Sequence, residues 1–169
     1  SWTAPFGSGG TFTLQGDAGA FLGAGNRSNT IVCEGHAGGF AGFAMRDGKI
    51  SILDGVGDDA GAHMAGGLLV VRGRAGARVG GGMNDGLIVI HGDVGSDPGA
   101  GMTGGRIVIT GRCPTPPQGV SLRPLTAAEV KSINKQLDDA ALEIPSHAVC
   151  LTPSEPLNIK SEGGQLATS

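Results

Sequence analysis

The residues of this chain that could do chemistry are four histidines, His36, His63, His91 and His147, three cysteines, Cys33, Cys113 and Cys150, a group of carboxylates and a set of arginines. A metal centre needs three or four ligands converging on one point. His36 follows a glycine, His63 precedes Met64, and His91 precedes a glycine. They fall at different phases of a repeat described below, so they do not stack in one ladder and are expected as surface histidines on loops. The cysteines are odd in number and widely spaced, with no CxxC pair to signal zinc or an iron–sulfur cluster. That usage fits a reduced cytosolic setting. No metal ligand and no catalytic residue is expected in this chain.

Asp47, Asp54, Asp58 and Asp59 form the densest acidic stretch, through RDG and LDGVGDD, and are expected around one corner. Calcium-binding nonapeptides need GGxGxD in each half-coil, and that motif is missing. No GxSxG elbow occurs, and no cysteine has a histidine at motif spacing. Arg72 and Arg74 flank one glycine corner, with Arg112 near an equivalent one; Arg78, Arg106 and Arg123 stand singly. Such arginines can recognise an anionic tail or an acidic partner patch. A solvated surface is the simpler expectation. Strings such as GAG and GGG suggest a dinucleotide loop, but that fingerprint needs a strand, one glycine turn and then a helix. Here each glycine turn leads to another strand.

The element that carries these residues is a repeat. Adding 19 to Gly16 gives Gly35, Asp54, Gly73, Gly92 and Gly111. Further columns are Gly19, Gly38, Gly57, Gly76, Gly95 and Gly23, Gly42, Gly61, Gly80, Gly99. All 4 methionines of the chain fall in one column, Met45, Met64, Met83 and Met102, headed by Asn26. Asn29 heads Gly48, Gly67, Gly86 and Gly105. Two apolar columns close the unit: Ile31, Ile50, Leu69, Ile88, Ile107, and Cys33, Ile52, Val71, Ile90, Ile109. Residues 16–111 thus read as five units without insertion. The first unit, with asparagine at two consensus positions, has the atypical character of an end coil.

Apolar residues two apart lie on one face of a strand. The period has no 3.6-residue component, so helical repeats are excluded. One coil of a parallel β-helix fits, each strand pairing with its copy about 4.8 Å along the axis, so that five coils rise roughly 24 Å. The expected fold class is all-β: a glycine-rich parallel β-helix of 19-residue coils, with a short C-terminal helix and an extended tail. Ile50, Leu69, Ile88 and Ile107 would stack inside as one ladder, and Met45, Met64, Met83 and Met102 as another. Corners of tight coils call for positive φ or close backbone approach, both of which glycine allows. Between the inward columns runs Val32, Ser51, Val70, Val89 and Val108. It points outward and is mostly apolar, so it lies at a contact between subunits or beneath another layer of the chain. Val70, Val89 and Val108 are the candidate partner-contact stripe.

The solenoid is expected over residues 1–111, because Phe12 and Leu14 stand one period before Ile31 and Cys33. The coils are expected to begin before residue 16. Residues 112–169 read as a proline-rich linker, a helix and an extended arm with its last ten residues loose. Thr126 and Glu129 form a capping box that opens a helix over about 127–137. Val130, Ile133 and Leu137 make an apolar stripe along it. Packing of that stripe over the solenoid is expected, with binding to a partner as the alternative.

Composition limits the rest. Glycine makes up 33 of 169 residues against a usual 7% or so, and tyrosine is absent, so the chain can build turns and aliphatic ladders but no large aromatic core. A net charge of −3 argues against a nucleic-acid surface, which needs a basic excess. No run of 18 apolar residues and no charged-then-apolar leader occurs, so neither a membrane span nor a signal peptide is expected.

The units GDAGAFLGAG, RAGARVGGGMNDGLIVIHG and DVGSDPGAGMTGGRIVITG resemble the GXGXG repeat. That repeat characterises the C-terminal domain of the glutamate synthase large subunit. It also characterises the C subunits of formylmethanofuran dehydrogenase and of the formyltransferase/hydrolase complex. The regular units with their Met step are most similar to the formylmethanofuran dehydrogenase branch. The resemblance covers residues 16–111. It implies a right-handed β-helix that docks on catalytic subunits and carries no active site of its own. It also implies a parent activity on a formyl group, in which metals, flavin or a methanofuran-type carrier belong to partner subunits. The other reading is a domain or subunit of a glutamate synthase-type amidotransferase.

Overall fold

A computed structural model describes residues 9–155. Six parallel strands follow one another along an axis: β1 (Gly10–Leu14), β2 (Asn29–Cys33), β3 (Lys49–Ile52), β4 (Ala65–Val71), β5 (Asp85–Ile90) and β6 (Arg106–Ile109). Their register is that of the repeat. Phe12 pairs with Ile31, Ile31 with Ile50, Ile50 with Leu69, Leu69 with Ile88 and Ile88 with Ile107. The chain is therefore a β-solenoid of about five turns, and the strand column does reach back to β1. A second side is marked by bridges from Ala18 to Ala37, from Ala37 to Val56, and from Ala75 to Val94. At the outer turns each coil hydrogen-bonds to the next: the amides of Phe21, Phe40, Asp59 and Arg78 donate to the carbonyls of Gly39, Asp58, Ala77 and Ser96 at 2.8–2.9 Å.

The interior holds the ladders. Ile50, Leu69, Ile88, Ile107, Met45, Met64 and Met83 are fully buried, and Met102 nearly so. Full burial of one such side chain is worth about 1.5–3 kcal/mol, against about 0.5–1 kcal/mol for each glycine placed in ordered chain. One ladder residue per coil thus offsets two or three corner glycines. Methionine and glycine columns are coupled. A Cβ on Gly105 would lie 2.6 Å from Met83 Cε, and one on Gly67 would lie 2.7 Å from Met45 Cε, with both glycines at positive φ. Gly95 is needed for a different reason: its φ is ordinary, but a Cβ would meet the backbone of Gly76 one coil below at 2.8 Å. In the first coil Asn26 replaces methionine and folds onto its own turn. Its side chain donates to Asn29 O at 2.8 Å and accepts from Asn29 N at 3.1 Å.

The helix expected over about 127–137 is present, and the segments on either side of it include strands that join the sheet. Strand β7 (Val120–Pro124) leads into helix α1 (Ala127–Leu137), a short 3-10 turn (Ala140–Leu142) and strand β8 (Val149–Pro153). Strand β8 runs antiparallel to β6, with Val108 opposite Cys150, and β7 runs antiparallel to β8. The eight strands form one sheet in the order β1-β2-β3-β4-β5-β6-β8-β7. Thr126 caps α1 as the sequence indicates, its hydroxyl accepting from Glu129 N while the Glu129 carboxylate accepts from Thr126 N. The last ten residues, expected to be loose, lie outside the described residues. No helix among the described residues is long and apolar enough to cross a membrane.

Of the two covers expected for the candidate partner-contact stripe Val70, Val89 and Val108, a contact between subunits or another layer of the chain, the structure shows the second. All three are fully buried by the chain itself, in a second core formed with Leu125, Ile133, Leu137, Leu142 and Ile144. A row of aliphatics this long needs a cover, and α1 supplies it in cis.

Candidate functional site

The residues that could do chemistry are dispersed by the coil geometry. His36, His63 and His147 are exposed, in line with their expected loop positions. His91 is not a free surface residue. It is half-buried beside the 3-10 turn, its Nε2 has no hydrogen-bond partner, and burial followed by the charge of Arg72 lowers its pKa while a backbone hydrogen bond to Leu142 partly restores it. The cause is the tail, whose path over the strand ends leaves no signal in the histidine's own surroundings.

The acidic stretch does not form one patch. Asp47 stands before β3 and Asp54 after it, so the strand separates them. Asp59 is engaged by Arg78 one coil on, at 2.9 Å from Nε and 3.0 Å from Nη2, and Asp58 accepts from Ala77 N at 2.8 Å. This coil-to-coil use of aspartate recurs: Asp17 accepts from His36 N and Asp93 from Arg112 N, at 2.8 and 2.7 Å. These carboxylates tie successive coils together. Arg123 is likewise committed, to Glu129 at 2.8 and 3.0 Å, and its guanidinium holds that carboxyl down at about 2. No group of three His, Cys, Asp or Glu side chains that could hold a metal is present among the described residues.

The cysteines sit apart. Cys33 is buried in the inner core, with its Sγ 3.4 Å from Gly16 O. Cys150 lies in the outer core, and burial pushes its thiol up, as it does that of Cys113. A raised thiol is the reverse of what a nucleophile requires.

A groove of about 610 Å³ runs beside the starts of β3 to β6. Its floor includes Gly48, Gly67, Gly86 and Gly105, and its walls carry Asp47, Asp85, Lys49, Arg106 and, from α1, Gln136. Lys49 Nζ closes one side by donating to Leu137 O at 3.1 Å, at the carbonyl end of the helix where a cation is favoured. Asp47 and Asp85 each accept from the amide that follows, at 2.8 Å. The groove offers backbone and mixed charge to an extended polar segment.

One column is not evident from residue types. Phe21, Phe40, Asp59, Arg78 and Asp97 are spaced by the period, and all adopt positive φ, from 55° to 65°. A bulky residue there is a true outlier, costing about 1–3 kcal/mol. The partners along the column explain how it persists. The rings of Phe21 and Phe40 stack at 4.9 Å and 6°, with Phe43 edge-on to both at 6.0 and 5.8 Å. Further along, Arg78 bridges Asp59 and also feels Asp97. A signal does exist, since the column lies between the Gly19 and Gly23 columns. It is masked because positive φ is ordinarily expected at glycine.

Comparison with protein-family models and with curated proteins finds no match to this chain.

Proposed function

We propose that this chain is a non-catalytic scaffold subunit of a multisubunit, cytoplasmic one-carbon enzyme complex, similar to formylmethanofuran dehydrogenase or formyltransferase/hydrolase. The observation that carries the reading is the uninterrupted repeat G-x-x-G-x-x-x-G-x-x-M-x-x-G-x-I, stacked in register from β1 to β6. A rod whose aspartates tie coil to coil, and whose aliphatics are spent on its own two cores, is suited to holding other subunits at fixed spacing. In this reading the chemistry belongs to those subunits, with their metals, flavin or methanofuran-type carrier.

The test is purification of the tagged chain from its native host, followed by mass spectrometry of what accompanies it. Large subunits with formyl-transfer or formyl-oxidation activity are expected. Recovery of the chain alone as a monodisperse monomer overturns the proposal. A flavin and iron–sulfur synthase core replaces it with the glutamate synthase-type reading.

A further inference from the structure

The groove beside β3 to β6 has an alternation along its wall. The period places Asp47, Gly66, Asp85 and Gly104 in one column, each directly before a glycine of the floor. In two coils the aspartate takes the amide that follows: Gly48 N and Gly86 N donate to Oδ1 of Asp47 and of Asp85 at 2.8 Å. In the other two coils no side chain can stand there. A Cβ on Gly66 would collide with the carbonyl oxygen of Arg46, and one on Gly104 with that of Asn84. The fold thus forbids a carboxylate at the last rung, and the Gly105 N–H donates to no described residue.

Arg106 follows directly on that amide. It is half-buried in the groove wall and makes no ion pair or side-chain hydrogen bond with any described residue. Arg78 and Arg123, by contrast, each engage a carboxylate through two hydrogen bonds. Lys49, the other cation of the groove, already donates to Leu137 O. Asp85, one coil back, is spent on Gly86 N. An amide and a guanidinium on consecutive residues, both without a partner among the described residues, are the complement of a carboxylate.

We propose that the Gly105–Arg106 end of the groove binds a carboxylate borne on an extended peptide segment of a partner. Its oxygen takes the place at Gly105 N–H that Asp47 and Asp85 fill at Gly48 and Gly86. The length of the groove favours a peptide over a small acid. Three coil steps of about 4.8 Å give roughly 14 Å, the span of about four extended residues, whereas a free acid occupies one rung. Gln136 of α1 lines the same groove and carries an amide able to pair with a peptide backbone. The site is independent of which enzyme the partner belongs to.

The probe is an acetylated and amidated pentapeptide of serine and threonine with one central aspartate. It is titrated into the isotope-labelled full chain and followed by amide NMR shifts. The Gly105 amide should move and saturate, while the Gly86 amide, already paired with Asp85, stays near its free position. The same peptide with asparagine should bind about ten-fold more weakly, the loss of one hydrogen bond to a charged group. Arg106→Gln should weaken the aspartate peptide by a similar factor and leave the asparagine peptide unaffected, with the far-UV circular dichroism of the solenoid retained. Should that variant lose its fold, Arg106→Lys keeps the charge and removes the fork, and should still weaken the aspartate peptide several-fold. The absence of a saturable shift at Gly105, or equal binding of the two peptides, overturns the proposal. So does acetate that binds as tightly as the aspartate peptide, because the rung then belongs to a free acid.

Discussion

The last coils of the rod and the first described ones differ in what lies beside them. At the C-terminal end the parallel sheet meets β8 running the other way, β7 follows as a short edge, and α1 lies across the outer face. At the N-terminal end β1 has β2 as its neighbour among the described strands, with the Phe21, Phe40 and Phe43 corner beside it. The outward column makes the contrast within one row of residues. Thr13 is exposed and Val32 half-buried, Ser51 is buried, and Val70, Val89 and Val108 are sealed. The same register position is therefore surface in the first coils and core in the last ones. In a solenoid the phase decides inside from outside, but an added layer decides whether outside is wet.

The largest expected effect tests that contrast directly. Val89→Asp places an unpaired charge in the outer core and should lower stability by about 3 kcal/mol or more, with early proteolysis of the tail. Val32→Asp, at the same phase, should change stability by less than about 1 kcal/mol. Paired urea melts measure the difference, and equal losses would dissolve the distinction between the halves. A smaller effect belongs to the helix cap. Thr126→Ala should cost about 1 kcal/mol, read from the same melts.

Acid should act on the covered end in two windows. Glu129 is held at about 2 by Arg123, below the ordinary 4.5 of the unfolded chain. Its contribution is complete above the unfolded value and is lost as pH falls toward about 2. Glu129→Gln should remove that part of the acid sensitivity. His91 is lowered by burial, so its protonation favours the unfolded tail. Stability should begin to fall as pH drops through the usual histidine range near 6.5, and His91→Gln should flatten that window. Tail exposure followed by hydrogen exchange against pH separates the two groups. It should change little in β1 and β2.

Most of the solenoid is legible from residue types because its order is one-dimensional. Ile31 to Ile107 and Met45 to Met102 announce their neighbours by a constant interval, and Thr126 with Glu129 announces a helix start. The pairing of Val149–Pro153 with Arg106–Ile109 cannot be read this way, since an antiparallel strand used once has no period. The destination of the Val70 stripe is open in the sequence for the same reason: the column reveals that a cover is needed, not which segment provides it. His91 reads as a surface residue because the backbone it meets, at Leu142, comes from far along the chain. Phe21 and Phe40 show the reverse failure, where the spacing is regular but the residue type points away from the backbone conformation.

The reversal of direction at β8 bears on how the molecule comes into being. As the chain leaves the ribosome, every completed coil is a template for the one after it, and nothing in the repeat itself says when to stop. A strand of opposite polarity, reached only after a helix, can seat only once Arg106–Ile109 has been laid down. Once seated, it occupies the edge that Arg106–Ile109 would otherwise offer to a further parallel coil, so the reversal of polarity is what ends the ladder.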